Sequence, residues 1–130
     1  MGLSTEDVVA IQQLVARYNF AVDEGDADAF AAAFTPDGEF GAGGQVMRGH
    51  DELRAFVTGR AGIAPRRHVV SSMLVDGEGD RASLRAYLQV FALGDDGSFR
   101  VAVQGTYDDE LVRTPDGWQF ARRRFTIDGA

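Results

Sequence analysis

The sequence predicts an α+β fold in which three N-terminal helices pack on one face of a long, strongly curved, mainly antiparallel sheet. Three observations carry this expectation. Apolar residues recur at helical spacing through the first half of the chain, four runs rich in β-branched and aromatic residues follow Pro65, and the loops between those runs are short and dominated by Gly and Asp. With 130 residues, 45% of them hydrophobic, the chain is expected to form one domain over 1–130 around one core.

Ser4 is suited to cap the first helix with Asp7 three residues on, and Val8, Ile11, Leu14, Val15, Tyr18 and Val22 continue it as one apolar stripe. Gly25 can take the left-handed C-terminal position, and Asp26 can cap a short second helix whose inward face is Phe30, Ala33 and Phe34. Thr35-Pro36-Asp37-Gly38 reads as the turn that ends it. Glu39 to Met47 then reads as a single glycine-interrupted strand, and Gly49-His50-Asp51 opens a third helix that buries Leu53, Phe56 and Val57. Strands are expected over 66–75, 82–93, 99–112 and 118–127, and their short connections imply an antiparallel meander. In the second of these, Ala82, Leu84, Ala86, Leu88 and Val90 alternate with Arg85, Tyr87, Gln89 and Phe91, so one set faces the helices. A curved sheet covered on one face leaves a cone-shaped space between the layers.

Composition removes whole classes of function. A formal net charge of −7 argues against binding a phosphate backbone, which needs clustered positive charge. The thirteen basic residues are all Arg, so Schiff-base chemistry and a Lys general base are excluded. The absence of Cys excludes thiolate nucleophiles, disulfides and cysteine-ligated zinc. Neither a signal peptide nor an apolar run long enough to span a membrane is present, and a cytoplasmic location without membrane contact is expected.

Three residues stand out together: Tyr18 and Asp23 near the end of the first helix, and His68 in Arg66-Arg67-His68-Val69-Val70. A phenol, a carboxylate and an imidazole around one cavity make a possible acid/base site. Taken singly, each also has an ordinary role, as a core phenol, a solvated residue at a helix end and a satisfied strand histidine. Five residues on an ideal helix turn by about 140°, so Tyr18 and Asp23 can converge only by reach.

The chain resembles the SnoaL-like branch of the nuclear transport factor 2-like superfamily. The resemblance rests on Arg17-Tyr18 with Asp23-Glu24-Gly25-Asp26, on Phe34-Thr35-Pro36-Asp37-Gly38, on Arg67-His68-Val69-Val70, and on Tyr107-Asp108-Asp109-Glu110-Leu111-Val112-Arg113 with Asp116-Gly117-Trp118-Gln119-Phe120. It covers nearly the whole chain and implies a cone-shaped, cystatin-like α+β barrel. Within the superfamily, Tyr18, Asp23 and His68 fall on the triad of bile-acid 7α-dehydratase-like enzymes. Asp23 and His68 also fall on the dyad of scytalone dehydratase and of hexachlorocyclohexane dehydrochlorinase. The second active-site histidine of scytalone dehydratase has no counterpart, because His50 lies on a different element. The base of ketosteroid isomerase falls on Ala42, which argues against that isomerase's standard mechanism although Tyr18 and Asp109 lie near its oxyanion-hole positions.

The resemblance therefore implies a cofactor-independent lyase, a dehydratase-type eliminase, or an isomerase acting on a hydrophobic oxygenated ring metabolite of polyketide or steroid-like character. Water elimination from a β-hydroxy carbonyl compound needs a base for the α-proton, a donor for the carbonyl oxygen and a proton for the departing hydroxyl. An imidazole fixed by a carboxylate can serve as base and then acid, and a phenol can serve as the donor. The alternative is a member of the same fold that binds a small ligand without chemistry, or a polyketide cyclase-type member. A third possibility is an assembly protein whose cone is filled.

The remaining expectations concern the surroundings. Phe34, Phe40, Phe56, Met73, Phe99 and Trp118 are the candidate apolar lining for a small hydrophobic molecule. Arg122-Arg123-Arg124 reads as a cross-strand pairing set, with Glu110 opposite Arg122 and Asp108 opposite Arg124. His50 reads as a local hydrogen-bonding residue, and no cofactor or metal is called for. The resemblance also implies a homodimer through the sheet.

Overall fold

A computed structural model describes residues 2–129. Helix α1 spans Thr5–Glu24 and begins at a reciprocal cap: the Asp7 amide donates to Ser4 Oγ (3.1 Å) and the Ser4 amide to Asp7 Oδ2 (3.2 Å). It ends at Gly25, in the left-handed region with φ 73°. Asp26 follows at once, accepting from the Ala29 amide to cap helix α2, Ala27–Ala32. The chain then forms strand β1 (Phe34–Ala42), strand β2 (Gln45–Arg48) and helix α3 (Gly49–Thr58). Four long strands complete it: β3 (Arg66–Glu78), β4 (Arg81–Leu93), β5 (Phe99–Thr114) and β6 (Gly117–Ile127).

The six strands lie in the order β2-β1-β6-β5-β4-β3. All neighbours are antiparallel except β1 and β6, which run parallel. The sheet is curved and does not close. Strand β4 is its most regular element, with Ala82, Leu84, Ala86, Leu88, Val90 and Ala92 buried and every intervening residue from Arg81 to Gln89 exposed. Ala82 to Val90 of this buried set meet Ile11, Leu14, Val15 and Tyr18 of α1, together with Phe30 and Leu53, in one core cluster.

Two elements differ from the sequence expectation. Phe34 does not continue the second helix, and 35–38 is not a terminating turn: both belong to β1, where Phe34 pairs with Phe120. The Phe120 amide donates to the Ala33 carbonyl at 2.9 Å, so a partner from the far end of the chain overrides the local turn signal. The second difference is that 39–47 is not one strand. Gly43 (φ 57°) and Gly44 (φ 82°) both adopt positive φ, as a two-residue type I′ hairpin turn requires, and the chain folds back into β2.

Bulges complete the cone. Ser72 has φ 54° at a register shift in β3 between Ser71 and Leu74, and the extra residue reverses the strand's parity. Arg66, His68 and Val70 face inward before it, and Met73 and Val75 after it. In β6, Glu110 pairs with Arg122 and Leu111 with Phe120, leaving Ala121 as the extra residue.

Candidate active site

Asp23 sits in the last turn of α1, one residue before the helix ends, and its side chain reaches across to β3. Its Oδ1 lies 2.6 Å from His68 Nδ1, and the His68 backbone amide donates to Oδ2 (2.9 Å) and Oδ1 (3.2 Å) of the same carboxylate. A carboxylate can only accept, so Nδ1 carries a proton towards it, and Nε2 is the nitrogen that can act as a base. Both side chains are largely buried, at 12% and 14% exposure, which protects the pair from solvent competition. The reach of the Asp23 side chain from the last turn of α1, rather than a shared helix face, brings it to His68.

His68 and Tyr18 share the wall of an interior cavity of about 310 Å³. Its apolar surface comes from Val22, Phe40, Phe56, Leu88, Val90 and Phe125, and its polar groups from Tyr18, Tyr107, His68, Gln45, Arg60 and Arg66. Ala42 also lies on this wall, where it offers no acid or base. Asp23 stands behind His68, in an adjoining groove that shares Val22, Arg60, Arg66 and His68 with the cavity. The recess edged by Asp108, Glu110, Arg122 and Arg124 is instead lined mainly by charged residues.

Tyr18 is completely buried, and its ring packs edge-on against that of Tyr107 with centroids 6.3 Å apart. Burial pushes the Tyr18 phenol well above its ordinary range and raises that of Tyr107, so both remain protonated donors at neutral pH. Beneath them lies Arg123, fully buried, its guanidinium carbon 3.4 Å from the Tyr107 ring centroid, 4.4 Å from that of Tyr18 and 4.5 Å from that of Phe120. Arg123 Nε is 3.2 Å from Asp109 Oδ1, an ion pair without hydrogen-bond alignment. Burial raises the Asp109 carboxyl to about 7, against the opposing pull of the Arg123 charge.

Of the six expected lining residues, Phe40 and Phe56 reach the cavity. The other four lie elsewhere. Phe34 is fully buried in the core, its ring 5.4 Å from Phe120 and 5.6 Å from Phe30. Met73, turned inward by the bulge, packs against the core outside the cavity wall. Phe99, 55% exposed, stands where the β4–β5 hairpin runs out beyond the core. Trp118 donates to Asp7 at the opposite end of α1, about 24 Å from Asp23 along the helix axis.

The charged residues also divide. The Arg122–Glu110 and Arg124–Asp108 pairings hold in register, but Arg122 forms its ion pair with Glu39 and Asp108 forms its own with Arg85. Arg123 is not part of an exposed set. His50 Nε2 donates to the Phe34 carbonyl at 3.0 Å, a local bond tying α3 to β1. Sequence reasoning did not single out Tyr107, Arg60 or Arg66. Tyr107 was accessible, since it pairs with Ala86 on the inward face, whereas Arg60 and Arg66 flank a turn whose path only the fold defines. Among the described residues there is no group of three or more His, Cys, Asp or Glu placed to hold a metal ion, and no helix is long and apolar enough to cross a membrane.

With this geometry in view, the family model described as a SnoaL-like domain matches residues 4–124. The chain belongs to the SnoaL-like domain family. Within it, the uncharacterized protein Rv2910c of Mycobacterium tuberculosis is 35% identical over 124 residues, covering 90% of this chain and 82% of that protein. Among solved structures, Rv3472 of Mycobacterium tuberculosis, a protein of unknown function, superposes with TM-score 0.92 at 30% identity, over 96% of this chain and 78% of its own. A candidate aromatic ring hydroxylase from Novosphingobium aromaticivorans is 35% identical with TM-score 0.84, covering 98% of this chain and 93% of that one. The fold is the cystatin-like arrangement of helices on a curved, open sheet, shared with an NTF2-like protein of Novosphingobium aromaticivorans that is 31% identical with TM-score 0.86, over 96% of this chain and 84% of that one.

Proposed function

We propose that this SnoaL-like protein is a cofactor-independent lyase that eliminates water from a hydrophobic, oxygenated ring metabolite, with Asp23, His68 and Tyr18 as its catalytic residues. The observation that carries the proposal is the 2.6 Å contact between Asp23 Oδ1 and His68 Nδ1 on the wall of an apolar cavity that Tyr18 also reaches. Asp23 fixes the tautomer and stabilises the imidazolium as it forms. His68 Nε2 takes the proton α to the substrate carbonyl, and the C–H electron pair moves into an enolate whose oxygen accepts from the Tyr18 hydroxyl. The enolate then expels the β-hydroxyl, which leaves as water with the proton returned by His68, so one C–H and one C–O bond break and one C=C bond forms. The same residues are compatible with double-bond migration, and the ring-hydroxylase designation of one relative favours a ring substrate.

The test is a panel of cyclic β-hydroxy ketones, followed by the absorbance of the conjugated enone. Asp23→Asn and His68→Ala should each abolish turnover while far-UV circular dichroism stays unchanged. Full turnover in both variants would refute the mechanism, and tight binding without product would assign the cavity to ligand binding alone.

The assembly accompanying this function is a homodimer through the outer face of the sheet. There Val69, Tyr87 and Val101 are exposed on adjacent strands, around the Gln89–Gln104 side-chain bond. Sedimentation equilibrium should report a dimer that Tyr87→Asp dissociates, and a monomer in the parent chain would overturn this assignment.

A further inference from the structure

The cavity contains a cationic feature that the elimination does not use. Arg60 and Arg66 both line it, and both also line the adjoining groove, so the two guanidinium groups stand where cavity and groove join. Arg66 is two residues before His68 on the same inward face of β3, and neighbouring same-face positions on a strand lie about 6.6 Å apart. Arg60 follows α3 in the turn leading to β3, with its guanidinium carbon 5.2 Å from the centroid of the Phe56 ring.

These side chains are unusual within the protein. Apart from the deeply buried Arg123, three arginines are half-buried: Arg54, Arg60 and Arg66. Arg54 is satisfied by Asp28 and Asp51. Among the described residues, neither Arg60 nor Arg66 has a carboxylate within ion-pair distance, although the chain has 20 Asp and Glu against 13 Arg. The Nε of Arg66 is buried and has no acceptor. The cavity wall itself contains no Asp or Glu, while Asp23, bound to His68, and Glu24 lie in the groove beyond. A buried donor left unpaired is costly, and a guanidinium fork is matched in shape and charge by a carboxylate.

We infer that Arg60 and Arg66 form an anion-binding subsite and that the cavity takes an apolar ring compound bearing a carboxylate, with the carboxylate at the groove and the ring against Phe40, Phe56 and Phe125. This deepens the elimination proposal by defining its substrate class, and it rests on that proposal only in treating the cavity as the substrate site. Because a charge-assisted hydrogen bond contributes about 1.5–3 kcal/mol, the carboxylate should be preferred over a neutral isostere by about tenfold or more.

The experiment compares naphthalene-2-carboxylate with naphthalene-2-carboxamide by calorimetric titration at neutral pH and low salt. The carboxylate should bind about tenfold more tightly, and the preference should shrink as salt is added. Arg60→Gln and Arg66→Gln should each reduce carboxylate affinity, and the double variant should bind both probes equally. Retained binding of the carboxamide shows that the variants are folded. His68→Gln should keep the preference, because the guanidinium groups hold the anion. Equal affinities in the parent, a preference surviving in the double variant, loss of the preference in His68→Gln, or no binding of either probe at millimolar concentration would each overturn the inference. Loss or retention of turnover in His68→Gln tests the elimination separately.

Discussion

The Asp23–His68 contact can be tested without any substrate. The Asp23 carboxylate takes two donors from His68, the ring Nδ1–H at 2.6 Å and the backbone N–H at 2.9 and 3.2 Å, and so ties the end of α1 to β3. Asp23→Asn preserves the side chain's size but leaves one accepting oxygen where there were two, so the two donors compete for it. A hydrogen bond to a charged acceptor contributes about 1.5–3 kcal/mol, and the 12–14% exposure of the pair leaves little solvent to compensate. The expected loss is about 2 kcal/mol, which for a urea m-value on the order of 1–3 kcal/mol/M corresponds to a midpoint shift of about 1 M. The ring itself provides a second readout. In the parent chain at alkaline pH, proton-nitrogen correlation spectra should show His68 protonated on Nδ1. In Asp23→Asn the population should move towards the Nε2–H tautomer, which removes the basic nitrogen from the cavity side of the pair. An Nε2–H ring in the parent, or a variant unchanged in both midpoint and tautomer, would refute the assignment of Asp23 as the group that prepares His68.

Gly105 pairs with Ile127, next to the cavity, and a Cβ there would meet the Phe125 ring at 2.7–2.8 Å as well as the Thr126 carbonyl oxygen. Gly105→Val should therefore destabilise by about 1–3 kcal/mol through overpacking and weaken binding of any cavity ligand, measured by thermal denaturation and titration; an unchanged melting temperature would show that the sheet opens freely here. Asp109 supplies a pH test. Its folded carboxyl is raised from 3.8 to about 7, so between those values the folded state binds the extra proton and stability falls as pH rises. Asp109→Asn should match the parent near pH 4, become increasingly the more stable of the two as pH rises towards 7 and keep a constant advantage above it, and parallel pH profiles would count against that titration. Tyr18→Phe retains the ring above Arg123 and removes only the hydroxyl, so stability should change by no more than about 1.5 kcal/mol while turnover falls; full turnover would reduce Tyr18 to a core residue.

Local chemistry made much of this molecule legible in its sequence. Ser4 and Asp7, Gly25 and Asp26, and the alternation of β4 act over a few residues, and each appears in the fold as its spacing implies. The first edge of the sheet did not follow in the same way. Phe34-Thr35-Pro36-Asp37-Gly38 has turn composition, yet its parallel partner β6 lies at the far end of the chain, beyond the reach of local signals. The cavity lining was legible for Phe40 and Phe56 only. Large apolar residues occur along the whole length of the cone, and composition does not distinguish the open end from the filled one. Trp118 and Phe34 illustrate the difference, since both are as apolar as Phe40 but belong to the closed part of the core.

Arg123 shows why periodicity alone fails at such a site. Trp118 and Phe120 face inward, and strict alternation would turn Arg122 inward next. The extra residue at Ala121 changes that parity, so Arg123 enters the core while Arg122 and Arg124 remain exposed. A single inserted residue thus places a cation beneath Tyr18 and Tyr107 instead of on the surface. Its guanidinium faces three aromatic rings and a carboxyl that burial favours in the neutral form. A positive charge below the two phenols also favours any negative charge that develops on an oxygen above them. The floor of the cavity is in this way electrostatically suited to an enolate, although Arg123 is not on the cavity wall and has no need to touch the substrate.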